Sequence, residues 1–362
     1  MEQKKKLYPI QFTPETSSHS WGDETYAVAD LGIVDSAVCN GWLSGNTLSD
    51  VMETYIERIS GEDVYGYYGR QFPVAVSTLK IEGKFPVMCH PDDEAAGQRY
   101  DALGKKTLLY ILDADPAAKL YLGFSREMSA GELYTRCLDG TVRETLNEIT
   151  PVSGDAFIIN PGTVYSASGH LTALCVSEAS AISFSLENDE ESHIEDAMDL
   201  IDYGRCDISR IWSRHGADAS ASQNPGSTNL LSSPEFSVNL TPVHEPMKFT
   251  TGNSFTIFSC ISGALSIQVP GKDADGVSHM GDYPLRKDGT VLMPADIEEF
   301  FLVPTERETC VIETFIEKRE EIDNYINPDT EPFLEGEDYE GLDAEDAEDS
   351  GDPDKEETGY KE

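Results

Sequence analysis

The chain has 362 residues, seven scattered cysteines and a formal net charge of −41. Its length and apolar content suit two ordinary domains that each bury a core. The acidic balance excludes nucleic-acid binding as a function, because affinity for a phosphate backbone comes from Lys and Arg.

The N-terminus and the cysteines favour a cytoplasmic protein. The first residues, MEQKKKLYPIQF, contain a basic run with no apolar region after it, and no run of eighteen apolar residues occurs. The cysteines are odd in number and show no CxxC spacing, which is typical of reduced thiols in the cytosol. We therefore expect a cytoplasmic location and no membrane partner.

Three segments of the first half have helical patterns. Apolar residues recur at helical spacing over 47–61. Capping boxes predict a second helix that begins at Ser129 and a third that begins at Ser192 and ends at Gly204.

Between these helices lie short runs bounded by turn residues, which predict strands. They cover 72–79, 85–89, 107–112, 119–124, 155–161, 171–179 and 181–186, and in the second half 255–263, 264–270, 290–294 and 310–316. Many short strands with Gly and Pro turns predict a mainly β protein, with a jelly-roll β-sandwich in each lobe and a few flanking helices.

Composition divides the chain into four parts. We predict an N-terminal lobe with helices over 1–215, a linker over 216–234, a C-terminal lobe over 235–318 and an acidic, largely disordered tail over 319–362. The tail holds 19 acidic and three basic residues. It is either a solubilising extension or a docking segment, and the sequence names no protein partner for it.

Several motifs resemble known ones. GDAFIINPGTVY at 154–165 is similar to the second cupin motif, with Tyr165 where a histidine is expected. FPVMCHPDDE at 85–94 and GKKT at 104–107 resemble stretches of the type I phosphomannose isomerase (mannose-6-phosphate isomerase) family. Further matches bring the resemblance to roughly residues 7–318, and they are Trp21-Gly22, 40–55, 193–202 and 289–300.

The resemblance implies two cupin lobes and a zinc site. In the family, zinc held by Gln, two His and Glu polarises sugar oxygens while a proton moves between C1 and C2. Here His90 is the only retained ligand, and Met88, Thr107 and Tyr165 stand at the other three positions. We therefore expect zinc binding to be weak or absent. The family's catalytic arginine is also missing, since 181–189 contains none and Phe184 stands near its position.

Each singled-out residue has a structural interpretation beside the functional one. His90 is a surviving ligand or a packed core histidine, and Lys105 contacts a sugar phosphate or is a solvated turn lysine. Asp92 and Asp93 are acid–base groups or, as we expect, caps of the next helix. Met88 and Tyr165 either fill the pocket that holds zinc in the family, or form a pocket in which a sugar ring stacks on the aromatic ring. A relocated metal site would draw on Cys89, His90, Asp92, His170 and Cys175.

Two functional hypotheses remain open. The first is a phosphomannose isomerase-like protein of carbohydrate metabolism that is metal-free and catalytically impaired, and that binds a hexose phosphate or a protein partner. The alternative is an active metal-dependent mannose-6-phosphate isomerase with a rearranged site. Fold analogy alone supports the second.

Overall fold

The computed structural model describes residues 5–187, 194–214, 226–272 and 277–317. The predicted cap at Ser192 and the predicted tail over 319–362 lie outside these residues. Within the described part of the chain, no helix is long and apolar enough to cross a membrane.

Two antiparallel sheets form the first lobe. One has seven strands in the order β1-β2-β3-β10-β5-β8-β12, and the other has five in the order β11-β4-β9-β6-β7. The strands are β1 (Glu15–His19), β2 (Gly22–Val28), β3 (Val74–Ile81), β4 (Met88–Cys89), β5 (Thr107–Ala114), β6 (Lys119–Phe124), β7 (Leu146–Ile149), β8 (Asp155–Ile159), β9 (Tyr165–Ser168), β10 (Leu171–Glu178), β11 (Phe184–Ser185) and β12 (Trp212–Arg214).

The second lobe repeats this design. A five-stranded sheet in the order β13-β14-β21-β16-β19 faces a four-stranded sheet in the order β15-β20-β17-β18. The strands are β13 (Thr228–Ser232), β14 (Ser237–Val243), β15 (Met247–Thr250), β16 (Thr256–Ser262), β17 (Ala264–Lys272), β18 (Ser278–Arg286), β19 (Thr290–Met293), β20 (Glu299–Pro304) and β21 (Thr309–Phe315). The mainly β prediction with two jelly-roll lobes is confirmed. Strand β13 lies within the predicted linker over 216–234, so that prediction was too long at its C-terminal end.

Short helices flank the first lobe. They are α1 (Leu48–Tyr55), α2 (Glu57–Ser60), α3 (Glu62–Tyr68), α4 (Asp93–Tyr100), α5 (Ala130–Leu138) and α6 (Ile194–Ala197), with 3-10 turns at Gly41–Leu43, Val142–Thr145 and Ile208–Arg210. The helix predicted over 47–61 is divided by Ile56, whose φ of 46° interrupts it between α1 and α2. The predicted cap at Ser129 is present, since its side chain accepts a hydrogen bond from the Glu132 amide.

Alternation along the seven-stranded sheet sends side chains into two different cores. Leu109, Ile111 and Cys175 face the five-stranded sheet inside the first barrel. Leu108 and Val176 point the other way, into a core that the second lobe completes with residues such as Phe236. The middle of the seven-stranded sheet is therefore buried on both faces, which explains why its central strands are mostly apolar.

Close contacts join the two lobes. Ile10, in the predicted N-terminal lobe, exchanges two backbone hydrogen bonds of 2.8 Å with Leu292 of β19. Gly61 has a φ of 99°, and a Cβ added there would lie 2.1 Å from the carbonyl oxygen of Asn253. Only glycine suits this crossing point between α2 and the second lobe.

Candidate functional site

His90 and Tyr165 meet inside the first barrel. His90 directly follows β4, and Tyr165 begins β9, where it is the partner of Met88 across the two strands. The His90 imidazole Nε2 lies 2.8 Å from the Tyr165 hydroxyl oxygen, and both residues are buried. One imidazole nitrogen is therefore engaged by the side chain that stands where the second cupin motif is expected to have a histidine.

Burial keeps both members of this pair uncharged. Burial lowers the pKa of His90 well below its usual value, and the positive charge of Lys105 acts in the same direction. Burial also raises the pKa of the Tyr165 hydroxyl. Near neutral pH the contact is consequently a hydrogen bond between a neutral imidazole and a neutral phenol.

Thr107 faces the same barrel interior from the opposite sheet. It begins β5 on the face that Leu109 and Ile111 share, because side chains two residues apart point the same way. Thr107 is 3% exposed, and its hydroxyl oxygen has no hydrogen-bond partner in the part of the chain that the structure describes. The position aligned with the family's glutamate is therefore inside the barrel but carries no charge.

Two adjacent lysines precede β5 and have different surroundings. The charge of Lys105 lowers the pKa of His90, so its ammonium lies within electrostatic reach of the barrel interior. The side chain of Lys106 instead forms an ion pair with Glu235 of the second lobe, with Nζ 2.6 Å from Oε2. Lys105 therefore lies near His90 of the first barrel, whereas Lys106 is engaged between the lobes.

A carboxylate that the sequence analysis did not single out also lies at this interior. Glu24 of β2 accepts a 2.8 Å hydrogen bond from the Ser77 hydroxyl. Burial raises the pKa of the Tyr165 hydroxyl and raises the pKa of the Cys175 thiol to about 12. The negative charge of Glu24 acts in the same direction on both groups. Alternation in the strand after Trp21-Gly22 was the only sequence signal that could have found it.

The stretch 181–189 corresponds to the one that carries an arginine in the phosphomannose isomerases. Its described part, residues 181–187, contains no arginine. Phe184 pairs with Cys89 and packs in an apolar cluster behind the barrel wall, so Ser185, opposite Met88, is on the barrel-facing side. Arg143 approaches from outside, where its guanidinium donates to the Ser166 hydroxyl at 2.9 Å and pairs with Glu187 at 2.6 Å. Ser166 and Tyr165 alternate along β9, so Arg143 lies on the far side of that strand.

Asp92 and Asp93 have structural partners. Asp92 caps α4, since its carboxylate accepts a 2.8 Å hydrogen bond from the Ala95 amide. Asp93 accepts a hydrogen bond of the same length from the Gly104 amide. The capping prediction is confirmed for Asp92 and wrong for Asp93, which is the first residue of α4 and binds the Gly104 amide instead.

The side chains at the four aligned positions do not fit a zinc ion. The thioether of Met88 is a poor ligand for zinc, the hydroxyl of Thr107 is neutral, and Tyr165 would have to lose a proton that burial holds. Only His90 is an ordinary zinc ligand. Among the described residues, no group of three or more His, Cys, Asp or Glu side chains is arranged to hold a metal ion.

The residues considered for a relocated metal site are also separated. Cys89 packs in the apolar cluster behind the barrel, while Cys175 faces the barrel interior. Asp92 is engaged as a helix cap, and His170 is exposed in the turn before β10. The structure does not bring these side chains together with His90 into one site.

Sequence comparison gives a partial match to a known protein. No family model matches the chain. It is 27% identical over 176 residues to a protein of Bacillus subtilis (strain 168) described as a putative mannose-6-phosphate isomerase, and this match covers 44% of the chain. The match spans 54% of that relative's own length, about half of it.

Solved structures match over a longer range. The mannose 6-phosphate isomerase from Bacillus subtilis superposes with a TM-score of 0.71 at 21% identity, covering 86% of this chain and all of that one. A mutant phosphomannose isomerase from Salmonella typhimurium gives a TM-score of 0.69 at 11% identity over the same shares. The chain thus has a two-lobed cupin fold, resembles phosphomannose isomerases in sequence and shares their architecture.

Proposed function

We propose that this chain is a phosphomannose isomerase-like protein of carbohydrate metabolism that binds a hexose phosphate in its first barrel. In this proposal it binds the sugar without zinc and is impaired as an isomerase. The observation that carries the proposal is the hydrogen bond between His90 and Tyr165, which joins two of the four aligned ligand positions to each other.

Two further observations support the loss of isomerase activity. Moving a proton between C1 and C2 of a sugar develops negative charge on oxygen, and a nearby cation has to stabilise it. In the family, zinc and an arginine supply that charge. Here the donor set does not suit zinc, and the described part of 181–189 presents Ser185 rather than an arginine to the barrel.

Lys105 supports retained binding of an anionic sugar. One ammonium near a partly polar interior is a workable anion contact, and the charge of Lys105 acts on the buried His90. Glu24 and Ser77 add acceptors and a donor that suit sugar hydroxyls. A cytoplasmic location, expected from the sequence, is consistent with such a ligand.

The first experiment measures metal content. The full chain would be purified without chelators from cells supplied with zinc, passed through gel filtration and submitted to elemental analysis. We expect far less than one zinc per chain, because only one ordinary ligand remains. Stoichiometric zinc, or another divalent metal, would contradict the metal-free proposal and favour the alternative of an active isomerase with a rearranged site.

The second experiment measures binding and turnover. Calorimetric titration with mannose 6-phosphate should give binding that Lys105→Ala weakens about tenfold, the loss of about one charge-assisted contact. Lys119→Ala is the matched control, since that side chain pairs with Glu148 on the neighbouring strand β7. Interconversion of mannose 6-phosphate and fructose 6-phosphate should be undetectable, and turnover of roughly 1 per second or more would contradict the impaired activity.

A further inference from the structure

Glu178, the last residue of β10, is a buried carboxyl group outside the pair formed by His90 and Tyr165. It is 2% exposed. Its Oε2 accepts a 2.7 Å hydrogen bond from the Lys106 amide, and its own amide donates to the Lys106 carbonyl at 3.1 Å. The other carboxyl oxygen, Oε1, accepts no hydrogen bond from a donor among the described residues. An ionised carboxylate in this position would therefore lack full solvation.

Asp93 binds the other end of the short segment 104–106, to which Lys106 belongs. Its carboxylate accepts a 2.8 Å hydrogen bond from the Gly104 amide. Between them, the Lys105 amide donates to the Pro91 carbonyl at 3.1 Å. Each amide of the segment 104–106 thus has a fixed acceptor, and two of the three acceptors are carboxyl groups.

The charges around Glu178 oppose its ionisation. Burial is the largest influence and raises its pKa to about 8, and the neighbouring carboxylates Asp93 of α4 and Glu235, just before β14, act in the same direction. The Lys106 amide opposes them by stabilising the carboxylate, while the Lys106 ammonium pairs with Glu235 at 2.6 Å. A protonated Glu178 can donate toward Asp93, whereas an ionised one repels it.

We propose that Glu178 is a positioning residue that, with Asp93, fixes the segment 104–106 through its backbone amides and so directs Lys105 toward the first barrel. When Glu178 loses its proton, its carboxylate and that of Asp93 repel each other. Because these two groups bind the two ends of the segment, the repulsion loosens it. The fixing of the segment stands independently of the proposed function. Only its effect on ligand binding rests on that proposal.

The first arm of the test measures the melting temperature of the full chain between pH 5 and pH 9. The raised pKa means that Glu178 contributes stability below its unfolded value of about 4.5, and that this contribution is lost as the pH rises through about 8. Glu178→Gln keeps an acceptor for the Lys106 amide and a donor for Asp93 at every pH. Its melting temperature minus that of wild type should rise steadily up to about pH 8.

Glu313→Gln is the control for this arm. Glu313 is a second buried carboxyl group, whose pKa burial raises to about 6, so its difference curve should level off at a lower pH. If the Glu178→Gln difference stays flat from pH 5 to pH 9, Glu178 carries no retained proton and the inference is overturned.

The second arm measures mannose 6-phosphate affinity at pH 7 and pH 9. A phosphate monoester is already a dianion at pH 7, and His90 is neutral at both values, so neither accounts for a change. Wild type should bind several-fold more weakly at pH 9, while Glu178→Gln should bind equally well at both.

The two arms separate the two proposals. If no variant binds the sugar phosphate at either pH but the melting curves behave as expected, the positioning role stands and the proposed ligand is wrong. If wild type binds and Glu178→Gln loses the same affinity between pH 7 and pH 9, Glu178 does not position Lys105.

Discussion

The two barrels share an architecture but differ in what fills them. In the first, His90 and Tyr165 are hydrogen-bonded inside the barrel, the hydroxyl of Thr107 is also buried, and Glu24 accepts a hydrogen bond from Ser77. In the second, the rings of Phe249, Phe258 and Phe300 pack with centroids 5.4 to 5.7 Å apart. The first barrel thus buries polar side chains among its apolar ones, whereas the second packs aromatic rings in its core.

Substitutions at three positions test whether the first barrel has the spacing of a metal site. Met88→Gln, Thr107→Glu and Tyr165→His together place a four-ligand set around His90 and release its Nε2 from the tyrosine. We expect zinc affinity to rise at least about a hundredfold over wild type, measured by calorimetric titration. Isomerase activity should stay absent, because no arginine is restored.

The control for this variant adds His90→Ala, which should abolish the gained affinity. A triple variant that binds zinc no better than wild type would mean that the backbone of the first barrel no longer has the spacing of a metal site.

The apolar filling of the second barrel predicts a large stability effect. Phe258 is fully buried against Phe249 and Phe300. Phe258→Ala should lower the free energy of unfolding by about 4 kcal/mol, through lost burial and the cavity left behind. Urea unfolding measures this, and Val277→Ala, at a residue 61% exposed, should change little. A loss below about 1 kcal/mol would show that this interior is not tightly packed.

A buried carboxyl group in the second barrel tests the comparison from the other side. Glu313 accepts a 3.2 Å hydrogen bond from the Asn239 amide group, and burial raises its pKa from 4.5 to about 6. Its contribution to stability is therefore lost as the pH rises from about 4.5 through 6. Glu313→Gln should stabilise the protein by about 2 kcal/mol at pH 8 and by almost nothing at pH 4.

Chemical unfolding at the two pH values measures this difference. The exposed Glu53→Gln on α1 is the control and should show no comparable pH dependence. An equal effect of Glu313→Gln at pH 4 and pH 8 would contradict the raised pKa.

The smallest expected effect concerns the pair that occupies the first barrel. Tyr165→Phe removes the hydroxyl that lies 2.8 Å from the His90 Nε2 while keeping the ring that stacks on Phe85. The free energy of unfolding should fall by about 1 kcal/mol, the usual net value of one hydrogen bond. Tyr134→Phe, at an exposed position on α5, is the matched control. A gain in stability would show that the contact is strained.

Local features were predictable where neighbouring residues decide them. The strand predicted over 119–124 matches β6 residue for residue, and the helix caps at Asp92 and Ser129 are present. Strand alternation correctly separated Cys89 and His90 onto opposite faces, since one packs behind the barrel and the other inside it. Periodicity and capping act within a few residues, so the sequence displays them directly.

The sequence by itself determined the β-rich two-lobed architecture and the identity of the side chains at the four aligned positions, because hydrophobic alternation and short motifs are local. It did not determine that His90 would bond Tyr165, 75 residues away, or that Glu178 and Asp93 would hold the segment carrying Lys105. Nor did it indicate the break at Ile56, which falls where α2 meets the second lobe. Only the tertiary structure decided these features, because burial and the pairing of distant strands set both the partners and the charge of each group.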